Sequence, residues 1–399
     1  MNYTDKQLAK IESNIWKYAI YLITNKRAVA AILSIYYLSI PNIQAQHIGL
    51  IVLIGNMSSF LFEIPSGYIS DKIGHKNMMI VSKVLLVISS LSFLMADGFA
   101  LLALGAACLA VAFAASSGTG SAFMHDTLTA LGRDKDFAKI TGKLAALGFG
   151  IPLLFSATAP FLIQYSFKAP FALSLILDLI GLYIAISFRR VKQSDEHKKI
   201  VKETKFMDVV REAKHLKFLS IAMISGFLAG TLIGFQTFRG PYQEFVGADV
   251  MWLGVFFAIG RIFASLMVAY SGKIKKLFKD IYAFELFQLV VFSLLFITLI
   301  LTDNIYAVVI VFIIMNAVQW GLSQVGVHFS MEIIGKSKFK ATILSLRGQF
   351  KESSNALVAV ALGYLISAYT YHGAFIIFTV AFFVIMTLLY LNTIREKNS

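Results

Sequence analysis

Nine ionisable side chains stand inside long apolar runs of this 399-residue sequence: Lys26, Arg27, Lys83, Arg261, Arg347 and Lys351, with Glu63, Asp178 and Glu285. A charge so placed costs several kcal/mol unless it meets water, a partner or a ligand. Two kinds of chemistry suit such groups. A cation can hold an anionic solute, and a carboxylate can take up and release a proton. Lys26, Arg27 and Arg261 lie near the middle of their runs and are candidate solute contacts, the alternative being structural ion pairs. Lys83, Arg347 and Lys351 lie within about two turns of a run's end, where a long side chain can snorkel to the surface. Glu63 and Asp178 are the candidate proton carriers.

Other chemistries lack their residues. Gly335-Lys336-Ser337 resembles the end of a phosphate-binding loop, but Ser330 stands where the upstream glycine belongs. The sequence holds no HExxH, no GxSxG and no aspartate-rich metal cluster, so we expect no enzyme and no cofactor. Cys108 is the single cysteine, which excludes disulfides and cysteine-based metal sites.

The elements that position these residues must be membrane helices. Apolar residues make up 58% of the chain and charged residues only 15%, outside the range of soluble domains. Hydropathy marks runs of roughly 20 residues, the length of helix that crosses a hydrocarbon core of about 30 Å. We place them at 15–39, 47–70, 77–96, 99–122, 144–164 and 169–188, then at 216–238, 250–271, 281–301, 305–330, 344–369 and 373–394. The expected fold is therefore an all-α membrane protein of twelve spans.

A formal net charge of +14 in a soluble protein would suggest nucleic acid, so the position of the charge decides. Of 36 Lys and Arg, 28 fall in segments that share one side of the membrane if the N-terminus is inside. The opposite loops hold only Lys168 and Arg239. Basic residues collect on the cytoplasmic side, so both termini are expected there, in a multi-pass protein of the cell membrane with no nucleic-acid partner. The first residues are polar and the first apolar run is long enough to stay as a span, so no cleaved leader is expected.

Ten of the basic residues lie between 189 and 217, a polar linker between two sets of six spans. The expected division is thus a bundle at 1–188, a linker at 189–217 and a bundle at 218–399. The halves are related. A shift of 205 positions lays Gly49 on Gly254, Gly55 on Gly260 and Ser66-Gly67 on Ser271-Gly272, and a shift of 206 lays Asp126 on Glu332.

Between the second and third spans stands Gly67-Tyr68-Ile69-Ser70-Asp71-Lys72-Ile73-Gly74-His75-Lys76, a GxxxDxxGxK pattern. With this motif, twelve spans and a basic central linker, the whole chain resembles the major facilitator superfamily, and within it the compact bacterial exporters. His75 replaces the usual second base, and Lys276 and Lys279 stand where the second half would carry the acid and the glycine.

The resemblance implies two pseudo-symmetric six-helix bundles, alternating access and a monomer that moves a small organic solute, coupled to protons and with efflux favoured. Uptake or export of an anionic metabolite is the alternative, and a non-transporting sensor a distant one. It places helices one, four, seven and ten around the central cavity, flanked by two, five, eight and eleven. Lys26, Arg27 and Arg261 then become candidate solute contacts, with Gln236, Gln319, Trp320, Gln324 and His328. Glu63 borders the cavity, whereas Asp178 lies on a peripheral helix. Gly67, Asp71, Gly74 and Lys76 with Asp126, Glu332 and Arg347 are the implied conformational gate. In it Asp71 latches onto the start of the eleventh helix, residues 342–347.

Overall fold

The computed structural model describes residues 4–191, 218–335 and 340–398, without the side chains of 64, 138, 340–345 and 398. Most of the expected linker, 192–217, and positions 336–339 lie outside the described residues. Those described form helices and connecting turns, with no strand among them. Ten segments are long and apolar enough to cross a membrane. The last, Leu346–Lys397, has 52 residues, enough for two crossings. It is broken at Thr370, where φ is 62°. Together with the charged first helix, which does not qualify by composition, these make the twelve helices of the expected fold.

Two compact units contain them. One is Met1–Asn42 with Ile54–Lys202, the other Ile43–Leu53 with Glu203–Ser399. Residues 43–53 precede the linker in sequence and pack within the second unit. The start of α3, Ala45–Ile73, packs within the second unit because two glycines remove the bulk between backbones. A Cβ on Gly49 would sit 2.5 Å from the Ala359 carbonyl, and one on Gly363 would sit 2.6 Å from that of Ala45.

The first unit comprises α1 (Asp5–Ile23), α2 (Leu33–Ser39), the rest of α3, α4 (His75–Leu94), α5 (Phe99–Ser116), α6 (Thr119–Ala130), α7 (Phe137–Thr158) and α8 (Ala169–Ser187). Tyr18, Tyr21, Met79, Phe123, Met124 and Phe188 form its core. Two expected spans are interrupted. The fourth breaks into α5 and α6 at Gly118, whose φ of +74° suits glycine. The first unwinds between α1 and α2, where Asn25 and Lys26 donate three residues back, to Leu22 and Ile23, rather than four. At the far end of α8, Asn14 of α1 exchanges two hydrogen bonds with the Arg189 backbone and Lys17 donates to the Ser187 carbonyl, which closes the helix terminus.

The second unit comprises α9 (Phe218–Gln236), α10 (Arg239–Phe245), α11 (Leu253–Ala269), α12 (Ser271–Lys275), α13 (Ile281–Leu301), α14 (Ile305–Gly321), α15 (Ser323–Ile334) and α16 (Lys340–Asn398). Lipid gives apolar helices no hydrophobic reason to associate, so close packing of small residues must hold them. Gly226, Gly230 and Gly234 recur every four residues along one face of α9. Their missing side chains admit the α16 backbone, with a Cβ on Gly226 falling 2.6 Å from the Arg347 carbonyl and one on Gly234 falling 2.8 Å from that of Asn355. Phe235 then meets Phe296, Phe375 and Phe378 at centroid separations of 4.7 to 4.9 Å. Such pairs add about 0.5–1.5 kcal/mol each beyond burial.

Candidate functional site

The unwound turn of the first span presents Arg27 to the bundle interior of the first unit. Its guanidinium grips Asp178 of α8 with both terminal nitrogens, at 2.8 and 3.1 Å. Ser90 of α4 donates to the same carboxylate at 2.5 Å and accepts from Arg27 at 3.0 Å. The Asp178 side chain is 1% exposed and that of Arg27 10%. One solute candidate and one proton candidate are thus brought together as a bidentate pair. Lys26, next to it, is exposed.

Lys83 does not snorkel. It is wholly buried, donates to the Thr24 hydroxyl at 2.8 Å and lies 4.6 Å from the centre of the Tyr21 ring. Burial of the ammonium is possible because Thr24 in turn donates to the Ile20 and Tyr21 carbonyls at the unwound turn. Gly181 leaves the space: a Cβ there would meet Thr24 Oγ1 at 2.5 Å and Lys83 Nζ at 2.6 Å.

In the loop motif, Gly74 ends α3 and starts α4 with φ +92°, while Gly67, Asp71 and Glu63 are exposed along α3. Contacts within the first unit run through His75 instead. Its Nδ1 is 3.0 Å from the Ser70 hydroxyl and its Nε2 is 3.6 Å from Asp126. His75, Lys76, Asp126 and Arg190 line an open pocket. The second unit repeats the theme, since Glu332, the residue laid on Asp126, pairs with Lys275. Arg347 packs its guanidinium against Gly326, 3.1 Å from where a Cβ would stand, and interacts electrostatically with buried Glu285. The side chains of 342–345, expected to meet Asp71, lie outside those described.

Arg261 has a different setting. Its guanidinium lies 4.0 Å from the Trp320 ring centre and 5.0 Å from that of Phe257, with no carboxylate in ion-pair range among the described residues. Gln236 of α9 donates to Gln319 of α14, whose own amide nitrogen reaches the Ala229 carbonyl at 3.4 Å. One turn of α14 therefore carries both the amide that meets α9 and the indole that meets Arg261. Gln324 is exposed and His328 half-buried one and two turns further along.

Two residues of this region escaped the sequence reading. Arg239, counted as an outward loop charge, is 7% exposed and stands 4.7 Å from the Phe257 ring centre. Gln243, one turn on, is 1% exposed. Their four-residue spacing between apolar neighbours was the available signal. Among the described residues no group of His, Cys, Asp and Glu is placed to hold a metal ion.

Helices of this length and composition define a multi-pass membrane protein. The sequence profile of the Major Facilitator Superfamily matches residues 19–349, and the chain belongs to that superfamily. Secondary transport by alternating access comes with the family. Solved structures agree on the fold. The nucleoside transporter NupG is 12% identical, with a TM-score of 0.78 over 98% of this chain and 99% of that one. A bacterial homologue of the human lysosomal transporter Spinster, inward-facing and unoccupied, is 14% identical, with a TM-score of 0.74 over 99% and 98%. A POT family transporter in complex with a thioalcohol-conjugated peptide is also 14% identical, with a TM-score of 0.70 over 96% of each chain. No curated protein matches the sequence.

Proposed function

We propose that the protein exports a small organic anion across the cell membrane, coupled to protons, with both termini cytoplasmic. The observation that carries the anion is Arg261. Its charge is held against the Phe257 and Trp320 rings and has no carboxylate partner among the described residues, while Gln319, the residue before Trp320, pairs with Gln236. Aromatic faces offset part of the cost of a buried guanidinium, about 0.5–2 kcal/mol, but leave its hydrogen-bond fork open for an oxyanion. Trp320 offers the solute an apolar face. Basic-residue placement supports the orientation, and likeness to compact exporters supports the direction. Glu63, exposed and in no ion pair among the described residues, is the proposed proton carrier. Asp71 is the proposed latch.

A thermal-shift screen of purified protein tests this reading, since a ligand of the folded state raises its stability by about 2.7 kcal/mol at a hundred times its Kd. Organic anions should raise Tm, whereas neutral and cationic solutes should not. Stabilisation by cations alone would overturn it. The anion found there, loaded into proteoliposomes, should drive a pH change that Glu63→Gln abolishes.

A further inference from the structure

We infer that Arg239 and Gln243 form a second contact for the same solute, which therefore carries two oxyanion or polar groups rather than one. The inference rests on the anion reading of Arg261 and extends it to a residue outside the expected site.

Arg239 has neither a hydrogen bond nor an ion pair among the described residues. The Phe257 ring is its one neighbour of note, although 7% exposure leaves almost no water to serve five N–H donors. Gln243 is more extreme. At 1% exposure, neither its amide nitrogen nor its amide oxygen has a partner. Native interiors rarely leave such a group unmet, and Gln243 stands four residues from the unpaired Arg239, a spacing that puts both on one face of a helical turn.

A structural explanation would supply an acid or a carbonyl. Among the described residues neither pairs with Arg239, and the charge acting on it is another cation, Arg261. Both guanidiniums stand about 5 Å from the same Phe257 ring, so they lie within about 10 Å of one another and repel. An anion reaching both would relieve that repulsion and use the vacant donors together. A guanidinium fork matches the paired oxygens of a carboxylate or phosphate, and the Gln243 amide can add a further hydrogen bond. The fitting solute is then a short molecule with an oxyanion at each end, or an oxyanion at one end and a hydrogen-bonding group at the other.

The test uses purified full-length protein and four probes: acetate and benzoate with one charge, succinate and inorganic phosphate with more. The expected result is at least tenfold tighter binding of succinate or phosphate than of the monoanions. Arg239→Gln should bring this advantage down to the monoanion level, while Arg261→Gln weakens all four. The stronger of the two arms assigns carboxylate or phosphate as the second group. If Arg239→Gln yields no monodisperse protein, Gln243→Leu, which removes no charge, should cut the advantage at least threefold. Monoanions and dianions binding alike, or a dianion advantage that survives in Arg239→Gln, would overturn the second contact and leave Arg261 intact. Failure of every anion to bind would overturn the Arg261 reading itself.

Discussion

Two cations in the first unit and two in the second are treated in opposite ways. In the first, Arg27 is neutralised by a bidentate carboxylate and a serine, and Lys83 is seated on a threonine at the unwound turn. In the second, Arg239 and Arg261 flank a phenylalanine with no acid beside either among the described residues. The difference teaches how to separate scaffold from site. A buried charge whose partner lies within the chain is satisfied before any solute arrives, and losing that partner harms the fold. A buried charge whose partner is missing keeps its binding capacity.

The contrast breaks most readily at Asp178. Asp178→Asn strands the Arg27 guanidinium, and removal of one side of a buried pair costs about 3–5 kcal/mol. We expect a large fall in Tm or loss of folded protein, with much of it restored in Arg27→Gln/Asp178→Asn. An unchanged Tm in detergent would move Arg27 into the solute site. Next comes Gly181→Ala, whose methyl group meets Thr24 and Lys83. Overpacking of this kind costs about 1–3 kcal/mol, which denaturant midpoints would register. Arg261→Ala should do the reverse of Asp178→Asn, lowering affinity for the anion at least tenfold while Tm moves little. A stability loss as large as that of Asp178→Asn would make Arg261 a scaffold residue.

The smallest effect belongs to an exposed pair. Asp280 caps α13 through the Ala283 N–H at 2.9 Å and takes a 2.7 Å hydrogen bond from Lys397. Burial pushes its carboxyl up, but these two bonds, the Lys397 charge and the Tyr282 N–H together outweigh it and hold it below the usual aspartate value of 3.8. A depressed value means a contribution present above about pH 4 and lost as pH falls through the folded-state value. Because the pair is surface-exposed, Asp280→Asn should cost only about 0.2–1 kcal/mol at neutral pH, measured by the same unfolding curves.

Much of the fold was legible because lipid imposes length and polarity on every span, and hydropathy reads both. The interruptions were less so. Gly118 looks like any helical glycine until its positive φ is known, and the unwound turn at Lys26-Arg27 is explained by Asp178, on the sixth span. The site residues divide along the same line. Arg261, Gln236, Gln319 and Trp320 stood out as polar or aromatic groups in apolar runs. Arg239 did not, because counting basic residues for topology treats any base just beyond a run as a loop charge. Lys83 looked like a snorkelling lysine for want of any local sign that Thr24 would turn toward it.

The Arg27–Asp178 pair also has a history during synthesis. Its members lie 151 positions apart. At about 5–20 residues per second, the arginine leaves the ribosome roughly 8–30 s before its carboxylate exists. During that interval the first span carries a mid-helix cation that disfavours insertion by about 2.5–3.5 kcal/mol, with no counter-ion to offset it. Its final seating must await the sixth helix, so the first helix to be made is among the last of its bundle to settle.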